Sequence, residues 1–188
     1  MKSARVTLGA LFLAACATPK PGSEFDALLA MEADPKPEIT LEAPDGSFRL
    51  RAMGELVEPL EVDEEGGIFG FFDIGSGTPA ECMFYAGERD LASSLQRISD
   101  SLFAMIADSE RVVDAKAIYG IDAGAVEHSP YLSLSWVLRF GATGALIKQM
   151  MGHTGARSVW CLHDQVGYTQ TFERFFRGIL ASLEPAEA

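Results

Sequence analysis

"YLSLSWVLRF", residues 131–140, decides the fold. Leu132, Leu134, Trp136, Leu138 and Phe140 occupy alternate positions, with Ser133, Ser135 and Arg139 between them. A period of two is that of a β-strand whose apolar face is covered and whose other face is partly wet, the habit of an antiparallel sheet. Further strands lie on both sides. "GALIKQMMG" and "ARSVWCLHD" follow, joined through Gly152-His153-Thr154-Gly155. With that turn centred on Thr154-Gly155, His153 lies beside Ala156 and His163 opposite Leu146. "RVVDAKAIYG" precedes them, and upstream come "GIFGFFDIG" and "AECMFYAG", separated by the turn residues Gly75, Ser76, Gly77 and Pro79. "EITLEAPDGSFRLRA" opens the body as two strands around Pro44-Asp45-Gly46.

Two segments switch to the helical period. In "DLASSLQRISDSLFAMIA", Leu91, Leu95, Ile98, Leu102, Met105 and Ile106 form one stripe, with Asp90 placed to cap the start. In "YTQTFERFFRGILASL", Tyr168, Phe172, Phe175, Phe176, Ile179, Leu180 and Leu183 repeat in the same way, and Pro185 ends the run. The order strands, helix, strands, helix predicts a single α+β domain over 38–184, an antiparallel sheet with two amphipathic helices packed on one face. This element order is similar to that of PsbP-like domains, a likeness of layout that carries no site residue.

The N-terminus has a different character. Lys2 and Arg5 precede "VTLGALFLAA", a run too short to span a bilayer, which needs roughly 20 apolar residues. Leu13-Ala14-Ala15-Cys16 resembles the lipobox of bacterial lipoproteins. The resemblance implies that residues 1–15 are a signal peptide removed by cleavage and that Cys16 is acylated. It also implies that the chain is held by lipid at the cell envelope, and Ala17 after the cysteine implies the outer membrane, facing the periplasm. Residues 16–37, with Pro19, Pro21, Pro35 and Pro37, read as a tether containing a short amphipathic helix over 23–33.

The chain carries 27 acids and 15 bases, a formal net charge of −12. So acidic a surface argues against a nucleic-acid partner and against an electrostatic hold on anionic lipid, leaving the membrane contact to the acyl group. The acidic run Glu55–Gly67 lacks the spacing of a calcium loop and reads as a solvated strand edge and turn. With Cys16 set aside, Cys82 and Cys161 remain as a candidate disulfide, or as two small buried residues.

Little else signals chemistry. Gly75-Ser76-Gly77 lacks the spacing of a nucleophile elbow, and no metal-protease, C-x-x-C or Walker motif occurs. Both G-x-x-G spans, Gly141 to Gly144 and Gly152 to Gly155, read as hairpin turns. Met151, His153, Cys161 and His163 are soft-metal ligand types, but the strand spacing separates the two histidines by roughly 25 Å. No metal and no cofactor is assigned. His163 with Asp164, and His128 in a long loop, are the remaining candidates for acid–base work. The leading expectation is a non-catalytic binding or assembly module. The alternatives are an envelope hydrolase using His163 or His128, and a structural subunit docking through the 23–33 helix.

Overall fold

The computed structural model describes residues 31–34, 36–107, 120–140, 143–163 and 168–185. The lipobox with Cys16, most of the expected 23–33 helix, all but Gly120 of the strand expected over 111–120, and Asp164 lie outside the described residues.

Eleven described strands and two helices follow in the order β1 (Glu38–Glu42), β2 (Phe48–Met53), β3 (Glu55–Leu56), β4 (Glu61–Val62), β5 (Ile68–Asp73), β6 (Ala80–Ala86), α1 (Leu91–Ala107), β7 (Gly120–Val126), β8 (Ser129–Phe140), β9 (Thr143–His153), β10 (Arg157–His163), α2 (Thr169–Ser182) and β11 (Glu184–Pro185). All described pairing is antiparallel. A large sheet runs β3-β5-β6-β10-β9-β8-β7 with β4 also on β5, and a small one runs β1-β2-β11. The fold is α+β, as the alternation in "YLSLSWVLRF" indicates.

The placement of the helices corrects the expectation. Alternate residues of β10 serve two separate cores. Val159 and Cys161 join the cluster that holds Phe172, Phe175, Phe176, Ile179 and Leu180 of α2. Trp160 joins Leu95 of α1, with Leu134 and Met151. Neighbouring strand residues point to opposite faces, so α1 and α2 lie on opposite sides of the large sheet. The small sheet shares the α2 side: Phe48 of β2 meets Phe84 of β6 at 4.9 Å between ring centroids, while Phe72 of β5 meets Phe175 at 5.2 Å. Ser133, expected on a wet face, is therefore buried.

Two turns also differ from expectation. The β9–β10 turn is centred on Gly155–Ala156, with Gly155 at φ 82° and Thr154 N–H donating to Arg157 O at 2.9 Å. Moving the centre by one residue moves every partner by two, so His153 faces Ser158 and His163 faces Lys148. Each side chain keeps its face. His153 and His163 now stand five positions apart, roughly 17 Å along the strands, and on opposite faces. His128 sits not in a long loop but in a two-residue hairpin turn with Glu127, closed by Val126 and Ser129. Glu127 takes a left-handed conformation there (φ 55°).

Cys82 and Cys161 are directly opposite one another on β6 and β10, and they form a disulfide with a Cα–Cα distance of 4.1 Å. Asp90 caps α1 as expected, accepting the Ser93 N–H at 2.7 Å. The Ser93 hydroxyl, and then its N–H, hold the Asp90 carboxyl below its ordinary pKa. The acidic stretch is a short strand edge and a turn, in which Asp63 Oδ1 accepts the N–H groups of Glu65 and Gly67 at 2.9 and 2.7 Å.

Candidate functional site: a buried serine–histidine pair

The described structure brings one sequence candidate, His163, against a polar partner that the sequence reading passed over. The β5–β6 turn runs Gly75-Ser76-Gly77, with φ of 85° and 90° at the two glycines. These left-handed values are ones a residue with a Cβ adopts poorly. They turn Ser76 inward, where it is 3% exposed. His163, at the end of β10 on the α2 face, is 2% exposed and stacks on Phe172 at 5.5 Å with the rings 20° apart. Ser76 Oγ and His163 Nε2 are 2.8 Å apart.

A serine beside an imidazole is the start of a nucleophile, so the direction of the proton matters. In a hydrolase the histidine accepts the serine proton. Here Ser76 Oγ donates to the carbonyl of Thr78, two residues on, at 2.8 Å. A hydroxyl has one proton to give. While Ser76 donates to Thr78 O, the donor in its 2.8 Å contact with His163 is an Nε2–H of the imidazole, and activation of the serine would need its hydroxyl to rotate from Thr78 to His163. The pair closes a turn against a helix.

Next to it lies a second buried polar contact. Lys148, opposite His163 on β9, is 8% exposed and forms an ion pair with Glu173 of α2. The other candidates are dispersed. His128 is exposed at its hairpin tip. His153 Nε2 lies 3.3 Å from Glu88, a single contact at the edge of the α1 side. Among the described residues no three potential ligands gather into a metal site.

One hollow of about 220 Å³ lies on the α1 side of the large sheet, lined by Phe71, Thr78, Pro79, Glu81 and Leu162. It continues a strip of half-buried apolar residues, Phe69, Met83 and Tyr85, with Arg89 stacked 3.9 Å over the Tyr85 ring. Burial raises the Tyr85 pKa, against the nearby charge of Arg89.

Glu32, Ala33 and Lys36, in the stretch read as tether, also contact the body. Ala33 N–H donates to Thr171 Oγ1 at 3.1 Å, Arg174 pairs with Glu32 at 3.0 Å, and Lys36 donates to Asp73 at 2.8 Å. The segment passes over the glycine turn, where a Cβ on Gly75 would stand 3.1 Å from that of Ala33.

No protein-family model and no curated protein matches this sequence.

Proposed function

We propose that this chain is a lipid-anchored module of the bacterial cell envelope, facing the periplasm from the outer membrane, which acts by binding and not by catalysis. The observation that carries the reading is the use of the cysteines. Of three in the chain, Cys82 and Cys161 are spent on a bridge, which suits an oxidising compartment. The third, Cys16, stands at the cleavage point of a lipobox-like stretch. The binding half of the proposal is supported by the half-buried aromatic strip and hollow on the α1 side, since concave apolar surface with a few polar groups is the usual form of a ligand site.

Intact mass of the chain extracted from membranes tests the anchor. The expected species lacks residues 1–15 and carries a diacylglyceryl and an acyl group on Cys16, and Cys16→Ser abolishes the addition. A soluble, unacylated wild-type chain sinks the proposal. The 2.8 Å approach of Ser76 to His163 favours one rival, an envelope hydrolase. Hydrolysis of small esters that disappears in a folded Ser76→Ala variant would install that rival instead.

A further inference from the structure

An open sheet has two edges, and in this molecule they are built differently. At one end β3 and β4 are two residues long and separated by Pro59, with Glu55, Glu58, Glu61, Glu64 and Glu65 around them. Short strands, proline and charge are the means by which proteins stop an edge from pairing with another chain. The small sheet ends on β11, which contains Pro185, and on β1, whose Glu38 and Glu42 pair with arginines of β2. The other end of the large sheet is β7, seven residues of sequence GIDAGAV. It has no proline and no lysine, and one charge, Asp122. Asp122, Ala123 and Ala125 are exposed, and among the described residues no strand pairs with the outer side of β7.

The hairpin turn fixes which groups face outward. A two-residue loop makes Val126 and Ser129 the closing hydrogen-bonded pair, so Gly124, Asp122 and Gly120 bond β8 in alternation. The N–H and C=O of Ile121, Ala123 and Ala125 point away from the sheet. Consistent with this, the Ala123 N–H donates not to β8 but to the Asp122 carboxylate, at 2.9 Å.

From this we infer that β7 pairs with β7 of a second copy, antiparallel about a two-fold axis at Ala123. The strand is self-complementary in that register. Ala123 meets itself, Asp122 meets Gly124 of the other copy, and Ile121 meets Ala125, so no two like charges stand directly opposite, and the two Asp122 carboxylates are diagonal neighbours whose repulsion weakens the pair. The small residues Ala123, Gly124 and Ala125 leave the approach open. Seven residues of backbone pairing bury far less than the roughly 1,600 Å² of a standard interface, so the dimer is weak and concentration-dependent. The inference is independent of whether Cys16 is acylated.

Sedimentation velocity of the full chain in detergent, over rising concentration, tests it. Wild type is expected to shift from monomer to dimer. Ala123→Pro is expected to stay monomeric with its disulfide and circular dichroism unchanged, because the lost N–H makes no bond to β8. Ala125→Lys, which puts a charge on the edge without touching the backbone, is expected to do the same and serves if the proline variant does not fold. Oxidation of Ala123→Cys is expected to give a covalent dimer well above the wild-type level. The proposal is overturned by wild type that remains monomeric throughout, by a dimer that persists in both edge variants, or by no excess cross-linking at position 123.

Discussion

At the scale of single residues, the Ser76–His163 contact joins two distant parts of the chain. Ser76 Oγ bonds both Thr78 O and His163 Nε2, and so ties the β5–β6 turn to the end of β10 across 87 residues of sequence. Ser76→Ala removes that hydrogen-bond partner from a buried imidazole. It should destabilise the fold by about 1–3 kcal/mol, read as a lower urea midpoint at unchanged slope. Stability that does not move would mean that the contact carries no structural weight. The Gly-Ser-Gly turn was legible in the sequence as a turn. Its serine was not legible as a partner of His163, because no local pattern encodes a contact that depends on how β6 and β10 are brought side by side. The disulfide residues were legible as a candidate pair by counting, and their alignment on β6 and β10 supplies the geometry that counting lacks.

At the scale of elements, the sequence indicated both helices and their apolar stripes but not the side on which each lies. The information was present in β9 and β10. Met150-Met151 in β9 and "SVWCL" in β10 place apolar residues at consecutive positions, the pattern of strands covered on both faces. The cleaner alternation of "YLSLSWVLRF" drew the reading toward a sheet with one wet face. The same burial explains Lys148, which lies under α2 and is matched by Glu173 from the helix above it. Glu173→Ala leaves a buried ammonium without its counter-ion and should cost about 3 kcal/mol, the low end for such losses since Glu173 is one-third exposed. Adding Lys148→Met should recover most of that loss, because an apolar side chain of similar volume needs no partner. A double variant as unstable as Glu173→Ala alone would show that packing of Glu173, and not the charge on Lys148, is what matters.

Across the whole molecule, long-range ties close the chain on itself. The disulfide spans 79 residues, and its loss should lower stability by about 4 kcal/mol on loop-closure entropy, measurable as a denaturant midpoint with and without reductant. The second tie is the segment 32–36, whose contact with α2 joins residues 138 apart. Prolines around it marked it as tether, and only the folded surface of α2 and the glycine turn give it somewhere to dock. Its charges predict how it responds to pH. Lys36 donates to Asp73, and this hydrogen bond, then that of the Gly75 N–H, holds the Asp73 carboxyl below its ordinary value. Asp73 in turn raises the Lys36 ammonium above its own. A lowered carboxyl pKa means that the unfolded chain takes up its proton first on acidification. The Asp73 contribution is thus complete above about pH 4 and lost as pH falls through the lower folded value. The Lys36 contribution is complete below about pH 10 and lost as pH rises through the raised one. Both groups are solvated, so the effect is local and not global. In acid the Ala33 amide resonance, which reports its bond to Thr171, should move toward the position it takes in Asp73→Asn at neutral pH. An Ala33 amide that stays in place both in acid and in Asp73→Asn would show that Lys36 and Asp73 do not hold the segment down.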